Sequence, residues 1–385
     1  MHPEPAERPS APRSTRSILA AIPGLLLVLA IASAAGGEGG DVPRMPDGRP
    51  DLSGTYDIAT LTPLERPAEF GENLYLTPEQ AREIVDEQRA YSAKRSQRSD
   101  PNRAAPEVGG APPVGLDDSQ RGISGAGEVG GYNDFWIDSG DSVVMVDGKF
   151  RTSILTDPAN GRRPPMTPEA RAQMGQLLRQ FRGDEGTAFW VDWEGPGPYD
   201  GPESRPTSDR CLTSFASTVP ALPSLYNNLK RIVQTEDEVL ILNEMVHDVR
   251  TVRIGGEHAP PEMTFWLGDS IGRWEGDTLV VDTTNFRPNP GFFGTTATLH
   301  VVERFTRVDR DTLHYEFTVE DPARWTAPWT GDFTWPITDG KVFEYACHEG
   351  NYAMGNILRG ARILEREALE NGAGESQGDA EGDAE

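Results

Sequence analysis

The chain is predicted to be mainly β, an antiparallel meander closing into a β-barrel with two helical insertions and long Gly/Pro-rich loops. Two hairpins carry that prediction. Arg273-Trp274-Glu275-Gly276-Asp277 turns into Thr278-Leu279-Val280-Val281-Asp282-Thr283-Thr284, and His300 to Val308 meets Leu313 to Val319 across Asp309-Arg310-Asp311. The third observation is extent: β-branched and aromatic runs broken by Gly/Asp turns recur from Arg231 to Tyr352. A small closed barrel often encloses a single ligand cavity, so the fold directs attention to its interior.

The elements follow in order. Arg8, Arg13 and Arg16 precede an apolar stretch from Ile18 to Ile31, which is followed by Ala32-Ser33-Ala34. A basic flank, an apolar run and a small-x-small pattern read as a cleaved signal peptide over residues 1–34. The run contains Pro23 and Gly24 and falls short of the roughly twenty residues that span a bilayer. An uncleaved anchor is the competing reading. Residues 35–50 form a linker, and Asp51 to Tyr56 the first strand of a single barrel domain over 51–366. A surface helix is expected near 77–98, with Thr77 as N-cap, Pro78 at the first turn and Gln80 closing a capping box. The Gly/Pro/Asp-rich segment from Ser99 to Gly131 reads as a long loop, and a lid if the domain binds a ligand.

Beyond it, Ser142 to Val146 pairs with Phe150 to Leu155 across the turn Asp147-Gly148. A second helix near 167–182 starts at Thr167-Pro168-Glu169, with Met174, Leu177, Leu178 and Phe181 forming one apolar stripe. Residues 367–385 are a Gly/Ala/Glu/Asp run, read as a disordered acidic tail.

Charge excludes some partners. The 385 residues carry a formal net charge of −25, which opposes binding to nucleic acid or to an anionic membrane surface. With 36% hydrophobic residues the chain can build a core but does not read as a membrane protein. Export to the periplasm or the extracellular space would place its two cysteines, Cys211 and Cys347, in an oxidising compartment, where a disulfide is favoured over two buried thiols.

The motifs Pro50-Asp51-Leu52-Ser53-Gly54, Thr62 to Pro67, Gly131-Tyr132-Asn133-Asp134-Phe135-Trp136, Tyr226-Asn227-Asn228, Glu244 to Asp248, Gly272 to Phe286 and Tyr345 to Tyr352 span most of the mature chain. On these the chain resembles a family of secreted bacterial proteins with no assigned activity, so the resemblance implies no catalytic residue. The opening Asp51 to Tyr56 also resembles the first strand of lipocalin-like barrels, with Tyr56 where those carry Trp.

The residues able to carry chemistry are scattered. On a strand, Glu244 and Asp248 would share one face with Arg250 as counter-ion, and His247 the other. With Asn228, His300, Glu316, Tyr132 and Trp136 they form the expected ligand-binding set. Aromatic walls with a few polar groups suit a small organic molecule. Trp325, Trp329 and Trp335 suit either a cap on the barrel mouth or core packing. His348, His247 and Glu349 are the expected acid/base groups if the protein is an enzyme. No cofactor is predicted and no metal site is assigned. A divalent metal would draw on His247, His300 and His348 with Glu244 or Glu349. The expectation is an exported small-molecule-binding barrel. A hydrolase or lyase using a His/carboxylate pair and a structural envelope protein are the alternatives.

Overall fold

The computed structural model describes residues 41–95, 137–180, 187–288 and 293–381. Ten strands form one curled half-barrel sheet, ordered β1-β6-β7-β8-β9-β10-β11-β12-β13-β5. In chain order these are β1 (Gly54–Asp57), β5 (Leu155–Asp157), β6 (Leu229–Gln234), β7 (Glu238–Asn243), β8 (Val249–Ile254), β9 (Asp269–Glu275), β10 (Thr278–Thr284), β11 (His300–Arg307), β12 (Thr312–Glu320) and β13 (Trp329–Pro336). A three-stranded sheet is built from β2 (Tyr75–Leu76), β3 (Met145–Val146) and β4 (Lys149–Arg151). The helices are α1 (Pro78–Arg95), α2 (Pro168–Gln180) and α3 (Tyr352–Glu381).

The two diagnostic hairpins form as read. Glu275 pairs with Thr278 across Gly276-Asp277, and β11 pairs with β12 from His300↔Glu320 to Arg307↔Leu313. α1 starts with the expected capping box: the Thr77 N–H donates to Gln80 Oε1 at 2.9 Å and the Gln80 N–H to Thr77 Oγ1 at 3.2 Å. Alternation then sets the faces. β11, β12 and β13 bury Phe305, Tyr315, Phe317, Trp329, Phe333 and Trp335 on the inner side, with Tyr315 and Trp335 ring centroids 4.5 Å apart.

Closure is corrected. β13 gives its free edge to β5 at Thr330 and Gly331, so among the described residues the backbone bridge to Tyr56 of β1 comes from Ile337, past its end. That single bridge, with the Thr338 N–H on the Thr55 carbonyl at 2.8 Å, joins the two ends where a closed barrel needs a ladder. The meander is also broken once, because β8 and β9 pair in parallel. Parallel neighbours need a connection that crosses back, and residues 255–268 supply it.

Four further expectations change. Leu155 leaves the Asp147-Gly148 hairpin for β5 of the main sheet. Met245–His247 is a 3-10 turn rather than a strand, with Val246 and His247 at φ 62° and 46°. The segment from Lys341 to Asn351 is irregular instead of a last strand. α3 runs to Glu381 and so takes in most of the run read as an unfolded tail. Trp325, Trp329 and Trp335 take the packing role, one of the two expected for them, at 5%, 0% and 0% exposure.

Gly331 shows how tightly β5 lies on β13. A Cβ there would meet the Phe317 ring at 2.6 Å and the Ile154 carbonyl at 2.9 Å.

Candidate functional site

The inner face of the main sheet is filled, not hollow. Its polar centre is Arg250, which forms a bidentate pair with Glu303, Nη2 to Oε1 at 3.0 Å and Nη1 to Oε2. The Tyr315 hydroxyl donates to Glu303 Oε1 at 2.7 Å and accepts the Ala221 N–H at 2.9 Å. Burial pushes the Tyr315 hydroxyl well above its ordinary pKa, and the adjacent Glu303 carboxylate adds to this. Every group here is engaged, so the cluster positions structure.

That cluster holds the segment 211–228, which supplies one wall of the cleft described below. Lys230 is fully buried and donates to the Ala216 carbonyl. Burial lowers its amine to about 7, against the upward pull of Glu244. Asp248 is pushed up to about 6 by burial, offset in part by a hydrogen bond from Ser217. The disulfide Cys211–Cys347 forms as expected and ties the start of the segment to the chain beyond β13. Asn228 closes the other end: its Oδ1 accepts the Ser224 N–H at 2.7 Å, and its Nδ2 donates to the carbonyls of Ser224 and Asp138, both at 2.9 Å.

Between this segment, the loop after β1, α1 and the approach to β5 lies a cleft of about 610 Å3. Leu61, Pro63, Leu64, Ile84, Ile154, Phe215, Leu222, Pro223, Leu225 and Phe293 make its apolar wall. Thr60, Thr62, Gln88, Ser139, Thr218 and Ser224 contribute polar atoms, and no described lining residue is charged. Most of those polar groups serve the fold already. Thr60 Oγ1 donates to the Ser142 carbonyl at 3.0 Å, Thr62 Oγ1 accepts the Val144 N–H at 2.9 Å, and Thr218 Oγ1 donates to the Pro220 carbonyl at 2.8 Å. The cleft offers contact area, a few hydroxyl lone pairs and no ionic handle.

The expected site residues disperse. Tyr132 and Trp136 lie outside the described residues. Arg250 is not the counter-ion of Glu244 and Asp248, because the turn at Met245–His247 breaks the strand on which they would share its face. Glu244 instead accepts the Phe343 N–H at 3.2 Å. His247 Nδ1 is 2.9 Å from the Tyr345 carbonyl, while His348 and Glu349 are exposed and make no ion pair with each other among the described residues. Glu316 lies 3.8 Å from Arg304 on the outer face. Among the described residues no three His, Cys, Asp or Glu side chains are grouped to hold a metal ion, so His247, His300 and His348 are not brought together.

One cluster escaped sequence reading. His258, in the crossover before β9, has Nδ1 3.0 Å from Asp269 Oδ2 and Nε2 2.9 Å from Asp282 Oδ1. Asp282 Oδ2 is 3.1 Å from His300 Nε2, and Arg253 grips Asp269 at 2.7 and 3.1 Å. The hydrogen bond to Asp282 raises the His300 pKa. Burial alone would raise Asp269, but hydrogen bonds from Arg253, the Ala259 N–H and His258 hold it at about 2. His258 stands alone in a Pro/Gly-rich loop, 11 and 24 residues from its partners, so no spacing announces it. None of these residues lines the apolar cleft.

Comparison of the chain with protein-family models, curated proteins and solved structures finds no match. The functional reading therefore rests on the site itself.

Proposed function

We propose that the protein binds a small, uncharged, largely apolar organic molecule in the cleft between α1 and the segment 211–228. The observation that carries this reading is a 610 Å3 cleft walled by aliphatic and aromatic side chains with no charge among its described lining residues. That volume lies within the roughly 300–1,000 Å3 usual for small-ligand sites. A charged ligand would lose its hydration there without recovering a partner. The acid/base alternative has less support, since the histidines that meet carboxylates lie apart from this cleft. A purely structural role has the filled inner face in its favour, but leaves the cleft unexplained.

Export belongs to the same proposal. A disulfide joining residues 136 apart suits an oxidising compartment, and no helix among the described residues is long and apolar enough to cross a membrane.

The test is a fluorescence titration with the neutral probe N-phenyl-1-naphthylamine. Saturable enhancement is expected, and Leu225→Asp should weaken it about tenfold, equivalent to about 1.4 kcal/mol. Leu225 is 40% exposed, so the folded state should tolerate the change. Non-saturable enhancement, or equal binding by Leu225→Asp, would refute the reading.

A further inference from the structure

A second and larger groove, of about 1060 Å3, opens where the chain beyond β13 passes the edge strand β1. Arg231, Arg307, Arg310 and Lys341 all line it. Arg307 is the informative member. Only 5% of it is exposed, and each of its hydrogen bonds ends on a neutral acceptor. Nη1 donates to the carbonyls of Asp51 at 2.9 Å and Ser53 at 3.2 Å and to the Tyr56 hydroxyl at 3.1 Å. Nε donates to the Asp309 carbonyl at 3.2 Å, and Nη2 to that of Arg310.

The other inner-face arginine, Arg250, is neutralised by Glu303, and Arg151 by Asp332 at 2.9 Å. Arg307 has no carboxylate within ion-pair distance among the described residues. A guanidinium cannot shed its proton, so the charge stays, held rigidly by carbonyl dipoles. Arg66 and Arg324 are also buried on carbonyl acceptors, but neither lines this groove.

The three remaining cations point the same way. Arg231 donates to Thr55 Oγ1 at 3.0 Å, and neither it nor the exposed Arg310 and Lys341 has a carboxylate partner among the described residues. Acidic residues outnumber basic ones 61 to 36 in this chain, so four unpaired cations along one groove are not what neutralisation alone would leave. The groove also carries Asp311, Asp339 and Glu344, all exposed. These carboxylates oppose any anion in the groove, so a compact anion must gain more from the four cations than it loses to them.

We propose that this groove binds a small oxyanion, a carboxylate or phosphate group, with Arg307 as its fixed charge and Arg310 and Lys341 as adaptable arms. Arg307, with Nε and Nη1 engaged, supplies charge and at most one N–H, while the exposed Arg310 offers a carboxylate or phosphate the two-pronged hydrogen bonds of a guanidinium. The site is distinct from the uncharged cleft and does not rest on the reading given for it.

Isothermal titration calorimetry of the mature protein at low ionic strength tests it, with citrate and inorganic phosphate as separate probes. Saturable one-to-one heat with citrate alone would assign a carboxylate site, and with phosphate a phosphate site. In either case the double variant Arg310→Gln/Lys341→Gln should bind about tenfold more weakly while its thermal midpoint stays that of the unsubstituted protein. Arg307 is left intact because it pins the chain at Asp51 and Ser53. No saturable heat with either anion, or undiminished binding by the folded double variant, would overturn the proposal.

Discussion

The inner face of the main sheet and the cleft beside it solve opposite problems with neighbouring residues. On the inner face, alternation along β11 and β12, continued by Trp329, Phe333 and Trp335 of β13, packs large aromatic side chains inward. The polar cluster Arg250–Glu303–Tyr315 there is satisfied internally. The cleft is made by segments without a period: the loop after β1, the approach to β5, and residues 211–228. Lacking repeated partners, these segments are held by point anchors: the disulfide, the Asn228 side chain and the Lys230 ammonium on Ala216. Regular strands fill space and anchored loops leave it open. In this protein, binding capacity is therefore expected where the regular fold stops.

The comparison can be broken at its strongest anchor first. Closing a loop of 136 residues restricts the unfolded chain by about 5 kcal/mol in the chain-entropy account. Cys211→Ser/Cys347→Ser should lower urea stability by an amount of that order and also weaken probe binding in the cleft. Stability loss with intact binding would show that the disulfide does not position the cleft wall.

Next is the inner face. Glu303→Ala leaves the Arg250 charge buried without a partner and should cost about 3–5 kcal/mol, read by chemical denaturation. Arg250→Met/Glu303→Leu should recover most of that loss. If the double variant is as unstable as the single one, the pair does more than satisfy itself.

A third test uses Lys230, whose buried amine is lowered to about 7. An unfolded lysine titrates near 10.5, so between about 7 and that value the unfolded chain holds the extra proton and stability rises with pH. Lys230→Met removes that dependence. Its thermal midpoint relative to the unsubstituted protein should be more favourable at pH 6 than at pH 9, and a pH-independent difference would contradict the buried, strained charge.

The smallest effect is expected at His300, whose pKa is raised by Asp282. A raised histidine stabilises the fold fully below its unfolded pKa, near 6.5, and ceases to do so as pH rises through the folded value. Asp282→Asn should therefore cost more thermal stability at pH 5.5 than at pH 8.5.

How far the sequence reached depended on periodicity. The hairpins at Gly276-Asp277 and Asp309 to Asp311, the Thr77–Gln80 capping box and the mainly β class were all legible, because each is a local pattern with a local cause. The partner of Cys211 was legible by elimination, since only one other cysteine exists. The candidate site was not. The run Glu238 to Arg250 reads as one strand carrying Glu244 and Asp248, yet Val246 and His247 turn with positive φ. Asn228, expected as a ligand contact, clasps the cleft wall. His258 offered no pattern at all.

By itself, then, the sequence determined the strand character, the turns, the helix start and the charge balance, all of which depend on residues a few positions apart. Only the tertiary structure decided that β5 would occupy the edge of β13 and leave the sheet without a closing ladder. It also decided that Arg250 would choose Glu303, and that uncharged loops would enclose a cleft while cations gathered unpaired beside β1. Such choices are made between groups tens to hundreds of residues apart, where burial and the competition for partners, not local preference, set the free energy.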